Sequence, residues 1–444
     1  MSQETTITYS KVNRDIIRML DKPTVKWWAL FLFDLAVLGV GLICFIYQIY
    51  TGLGVTGYRH PVFWAVYITN FVFWVGIAHS GTLISAILFL FRARFRLSIY
   101  RISEAMTVFA VATAGLFPLI HLGRIWNFYW LFPYPNQREL WINFKSPLIW
   151  DVFAVSTYAT VSTVFFFVGM IPDFAAIRDR VIEKPRKILY SILSLGWKGS
   201  NWEWLHYTRA YLYFAAFATP LVISVHSVVS WDFAMANTPG WHTTIFPPYF
   251  VAGAIFSGLA MVISLVVPIR KIFHLEEYIT VDNFEAMAKM IILTSLIVTY
   301  AYVVEPLMSW YSGSPYEWGQ TVYRAKGPYA PMYWIMVFCN VLVPLLLWFK
   351  KIRTNINALF VISLFINIGM WFERFNIIVI SLSHEFEPGA FGIYKVSLVE
   401  LAITAASFAW FFMFFLLFVK FLPAVSIAEL KEILPAPTKE AKPQ

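Results

Sequence analysis

The chain has 444 residues, of which 59% are hydrophobic and 13% charged, with a formal net charge of +9. A soluble domain carries charge on about 25% of its residues, so this composition excludes an ordinary soluble enzyme. The positive balance sits in short connections between apolar stretches, which is the pattern of membrane loops and not of a nucleic-acid-binding surface.

A polar segment, 1–26, comes first. It lacks the apolar region and cleavage site of a signal peptide, so the first apolar stretch is expected to direct insertion. Ten such stretches follow, at 27–51, 62–91, 100–122, 148–172, 207–231, 246–269, 285–308, 329–349, 355–381 and 397–419. About 20 apolar residues cross a bilayer as a helix, and a helix satisfies its own backbone polar groups where no water can. The expected fold is an all-α integral membrane protein, with ten transmembrane helices over 27–420. The tail, 421–444, reads as a short amphipathic piece ahead of a Pro/Lys-rich end.

Lys and Arg crowd alternate connections: the N-terminal segment, the loops at 92–101, 173–206, 270–271 and 350–353, and the C-terminal tail. The other set holds only Arg59, Arg124, Arg138, Lys145, Arg324, Lys326 and Lys395. Basic loops stay inside, so both termini are expected in the cytoplasm of a cell whose inner membrane holds the protein. Two cysteines, Cys44 and Cys339, both lie in apolar stretches. No C-x-x-C-H occurs, and two thiols are too few for an iron–sulfur cluster, so neither c-type haem nor such a cluster is expected in this chain.

Ionisable groups inside a bilayer point to function. The third stretch ends TAGLFPLIHLGRIW, placing His121 and Arg124 on one helix face behind the potential kink at Pro118. The fourth begins SPLIWDVFAVSTY, with Asp151 one turn in, and the fifth ends VISVHSVVSWD, carrying His226 and Asp232. With Glu305 of the seventh, these all fall at outer helix ends. Oxidation of a quinol removes two electrons and two protons. A neutral histidine and a carboxylate are suited to accept the protons from its hydroxyls. Each residue alone also reads as a helix-end group bonding water and lipid headgroups. The aromatic loop 123–147 is long for its class and is expected to cover a pocket or dock a peripheral subunit.

A deeper set comprises Asp34, His79 and Glu104, which with Glu305 are candidates for a proton path, and Glu373 beside Arg374, expected as an internal ion pair. A haem between two imidazoles would have only His121 and His226 to draw on, because residue counting puts His79 too deep to pair with either.

The stretches RISEAMTVFAVATAGLFPLIHLGRIW and NFKSPLIWDVFAVSTYATVS resemble the NrfD-type membrane subunits of the polysulfide reductase superfamily, most of all the quinol-oxidising membrane subunit of bacterial alternative complex III. The resemblance implies a core of two four-helix bundles with two extra helices. It implies oxidation of quinol, menaquinol being the expected species, near the periplasmic face. Electrons would pass to an adjoining iron–sulfur subunit and on to monohaem and multihaem cytochrome c subunits, beside a paralogous membrane subunit. His121 and Asp151 take the family's catalytic positions, and Asp232 a second acidic one. Proton translocation through the bundles is a further implied activity. The alternatives are the paralogous membrane subunit of the same complex, the NrfD-type subunit of a molybdopterin reductase complex, and a secondary transporter. A transporter would show a midplane site with broken helices.

Overall fold

The computed structural model describes residues 8–132 and 144–432. The part of the aromatic loop at 133–143, Arg138 included, and the tail beyond 432 lie outside the described residues. Among the described residues ten helices are long and apolar enough to cross a membrane, so the chain is an integral membrane protein. We number them span 1 (Val25–Thr51), span 2 (Val66–Leu90), span 3 (Tyr100–His121), span 4 (Pro147–Arg178), span 5 (Asn201–Ala234), span 6 (Phe246–Ile272), span 7 (Val281–Tyr311), span 8 (Ala330–Trp348), span 9 (Ile356–Ile380) and span 10 (Leu398–Phe421). An even number of crossings puts the N-terminal helix Tyr9–Arg18 and the C-terminal helix Ile427–Glu432 on one face, where they touch. This is the terminal face; the other is the opposite face.

Spans 2–5 form one four-helix bundle and spans 6–9 a second. Span 6 joins them by packing on spans 2 and 5, and span 9 also touches span 2. Spans 1 and 10 pair with each other outside the first bundle, with span 10 resting on span 3. Lipid tails are as apolar as leucine, so close helix contact here depends on small residues that let backbones approach. Gly41 of span 1 has no room for a Cβ against Ala406 of span 10, and Gly258 of span 6 has none against Ser80 of span 2. Gly258→Val would force the two bundles apart. We expect a cost of about 1–3 kcal/mol, read as a lower melting temperature in detergent. An unchanged melt would show that span 6 can shift freely on span 2.

Local breaks aim the polar side chains. Pro118 has no N–H for the Ala114 carbonyl, and its ring crowds that carbonyl. Span 3 accordingly divides at Gly115 into Tyr100–Ala114 and Leu116–His121. Spans 2, 8 and 9 each widen into one π turn, at Leu83–Ile87, Phe338–Leu342 and Asn376–Ile380. Such turns insert a residue and rotate the helix beyond them. The last two flank the buried Glu373.

Helix ends differ from the sequence expectation at two sites. Span 4 runs on to Arg178 and carries Asp173 inward, fully buried, where a loop was expected. Arg101, read as a loop charge, is also fully buried at the start of span 3.

Candidate functional site

The loop between spans 1 and 2 carries Tyr58, and span 10 fixes that loop. Ser397 caps span 10 and Glu400 reaches back to the Ser397 N–H at 2.9 Å. The buried Glu400 carboxylate also accepts from Tyr394 Oη at 2.8 Å and from the Gly57 N–H at 2.8 Å. Only glycine fits at 57, because a Cβ there would strike the Lys395 carbonyl. Next along the chain, Tyr58 Oη lies 3.1 Å from His121 Nδ1. Beneath this pair Tyr67 donates to Gln48 Oε1 at 2.5 Å, and Gln48 Nε2 donates to the Ile120 carbonyl at 3.1 Å. Both accessory spans therefore help hold the turn that presents His121. When Nδ1–H donates to Tyr58, Nε2 is the ring's free proton acceptor.

Asp151, in the first turns of span 4, meets Asp232, in the last turn of span 5, with their carboxyl groups within hydrogen-bonding reach. One oxygen of each carboxyl, Oδ1, is buried without a partner. Two carboxyl groups this close repel each other strongly when both are charged. No hydrogen bond or ion pair joins His121 to Asp151. They stand apart, at the opposite-face ends of neighbouring helices in the first bundle. Arg124 is exposed just beyond span 3.

His226 does not lie level with His121, contrary to the sequence reading. It packs against His79 with ring centroids 4.4 Å apart, both buried inside the first bundle. Span 5 continues to Ala234, eight residues past His226, which sinks the ring about 12 Å below the helix end. The pairing with His79 that depth counting ruled out is the one present. Rings in direct contact leave no space for a porphyrin, and His121 already has Tyr58. His79, His121 and His226 are thus not arranged as two imidazoles facing each other across a gap.

The histidine pair sits within a longer buried polar cluster. His79 Nδ1 bonds the Val75 carbonyl at 2.7 Å, and its ring stacks on Tyr158, whose hydroxyl is 2.8 Å from Thr82 Oγ1. His79 Nε2 and both nitrogens of His226 make no aligned hydrogen bond. Span 2's Gly76 leaves the opening in which Arg374 Nη2 approaches His226. Arg374 Nη1 pairs with Glu373 Oε1 at 2.5 Å, as expected, and Glu373 Oε2 accepts from Tyr302. Asn340 donates to the Tyr302 hydroxyl at 2.9 Å. Nearer the opposite face, Glu305 pairs with Arg324, which also donates to Ser381 Oγ at 2.8 Å.

Toward the terminal face, Glu104 accepts from Tyr211 at 3.0 Å and from Arg101 at 3.4 Å. Arg101 also pairs with Asp173 at 3.1 Å. Asp34 lies on the lipid-flanked span 1, joined to none of these groups by a hydrogen bond or ion pair. Sequence reasoning missed Gln48, Tyr58, Glu400, Arg101 and Asp173. A lone glutamine in span 1 and the Ser397-x-x-Glu400 capping pattern were the available signals. Among the described residues no group of three or more His, Cys, Asp or Glu is placed to hold a metal ion.

Fold and site together define a ten-span membrane protein whose first bundle gathers ionisable side chains at one end. The chain belongs to the NrfD family: the family model described as "Polysulphide reductase, NrfD" matches residues 54–383. That stretch contains spans 2–9 and leaves the accessory spans 1 and 10 outside. Among curated relatives, the chain is 26% identical over 358 residues to a putative membrane subunit of dimethyl sulfoxide reductase from Halobacterium salinarum (strain ATCC 700922 / JCM 11081 / NRC-1). The match covers 77% of this chain and 74% of the relative.

Proposed function

We propose that this chain is the quinol-oxidising membrane subunit of a multi-subunit oxidoreductase. The observation that carries the reading is the pair of half-sites at one end of one bundle: His121 held by Tyr58, and Asp151 against Asp232. A quinol hydroxyl facing His121 Nε2 would give up one proton there, and the carboxyl pair would accept the second. The two electrons would leave to an adjoining iron–sulfur subunit, so that quinol becomes quinone plus two protons and two electrons.

A relative named as a reductase's membrane subunit supports this direction of electron flow, because a membrane-anchored reductase draws on a membrane-soluble donor. The final acceptor would then be a molybdopterin catalytic subunit. In an alternative complex III, cytochrome c subunits and a paralogous membrane subunit would take that place. Quinol oxidation by this chain is common to both. The basic terminal face is assigned to the cytoplasm of the inner membrane and the half-sites to the periplasmic side, with menaquinol as substrate. Glu104, the His79–His226 pair and Glu305 with their polar neighbours would conduct protons, while Asp34 stands apart from that route.

The test is a double-substitution cycle in the assembled complex. Asp151→Asn and Asp232→Asn should each lower naphthoquinol turnover by about 10²-fold or more, within the range of a lost acid–base group. The double variant should be no worse than either single one, because the pair acts as a unit. Multiplying losses would show two independent groups, and full turnover in all three would end the proposal.

A further inference from the structure

A second feature near the opposite face has no part in the acid–base chemistry. Between span 1, span 10 and the last turns of span 3 lies a cavity of about 470 Å³. Its upper end is formed by Ile120, Ile125 and Phe128, on both sides of His121 in the chain. Its lower end reaches Leu38 of span 1 and Trp410 of span 10. From Leu38 to Phe45, its wall on span 1 rises about 10 Å along the helix. Among the described residues no ionisable side chain lines it. Its one hydroxyl, Ser407, bonds back to the Thr404 carbonyl at 2.8 Å.

We infer that this groove holds the isoprenoid tail of the quinol whose ring engages His121; the inference rests on the quinol reading above. Three observations carry it. The groove's wall includes Ile120, the chain neighbour of His121, and Gln48 of span 1 donates to the Ile120 carbonyl, so that wall and the turn that presents His121 are fastened together. It descends from the membrane surface toward the bilayer middle, the direction a tail must take once its head is at the surface. Its size and apolar walls also suit a ligand: pockets for small molecules run to about 300–1,000 Å³ with mainly hydrophobic and aromatic linings. Spans 1 and 10, two of the groove's three walls, lie outside the region matched to the family, and span 3, the third, lies inside it. The accessory spans thereby serve the site twice, by anchoring the Tyr58 loop and by walling the tail.

The experiment compares two substrates in the assembled complex: a naphthoquinol with a long isoprenoid tail, and the same ring with methyl in place of the tail. Leu38→Trp, on span 1, and Ile403→Trp, on span 10, each fill the groove from a different wall. In complexes that retain all their subunits, the ratio of kcat/KM for tailed over tailless quinol should fall at least tenfold in both variants. An unchanged ratio in both would overturn the inference and leave the groove to phospholipid acyl chains. A wild-type complex that oxidises neither quinol would instead overturn the reading of the site itself. If one variant fails to assemble, the other carries the measurement.

Discussion

His121→Gln is expected to abolish most quinol turnover while the complex still assembles, with a loss of about 10²- to 10⁴-fold in kcat, the usual contribution of a positioned acid or base. Glutamine keeps a donor and an acceptor near the same place, but it cannot take a proton at neutral pH. Tyr58→Phe should have a smaller effect. It keeps the edge-on ring contact with Tyr67, at 5.9 Å between centroids, and removes only the hydroxyl that holds Nδ1. One hydrogen bond is worth about 0.5–1.5 kcal/mol net, so the loss should be near tenfold. The ordering is the discriminating part. If Tyr58→Phe were as damaging as His121→Gln, the tyrosine would itself be the group that meets the substrate. If neither mattered, proton removal would belong elsewhere. The measurement is steady-state naphthoquinol oxidation by membranes with matched amounts of assembled complex.

The spans were legible because lipid leaves the backbone only helices and closed barrels, and apolar runs of about 20 residues declare the helix. The candidate site was legible only in its parts. His121 and Asp151 stood out as ionisable groups at span ends, yet their immediate partners, Tyr58 and Asp232, come from other elements. Depth was the quantity that residue counting handled worst. A span read as ending at 231 in fact ends at Ala234, and each residue added past the read end puts the side chains before it about 1.5 Å deeper below that end. That error separated His226 from His79, which are in contact. Arg101 was misread for a related reason. A basic residue at a span end normally turns to the surface, but here Glu104 and Asp173 hold it inside. A hydropathy pattern records which residues avoid lipid; it does not record which charges neutralise each other out of sight of it.

Arg374→Met should be the most destabilising single change in the second bundle. It would leave Glu373, fully buried, without its counter-ion. Removing one member of a buried pair costs about 3–5 kcal/mol, because the survivor's charge is left uncompensated. The chain should then melt at a lower temperature in detergent and accumulate poorly in the membrane. Combining Arg374→Met with Glu373→Gln removes both charges, and the amide still offers Tyr302 an acceptor, so most of that stability should return. The rescued protein then separates two roles for the pair. If Glu373 and Arg374 only fasten span 9 within the fold, quinol turnover and its associated proton movement return with stability. If the pair passes protons between the His79–His226 contact and Tyr302, stability returns while proton movement across the membrane does not. A double variant no more stable than Arg374→Met alone would contradict the premise of mutual neutralisation. In that case the Arg374 guanidinium would be held mainly by the Phe250 ring, 4.5 Å from its centroid, and not by the carboxylate beside it.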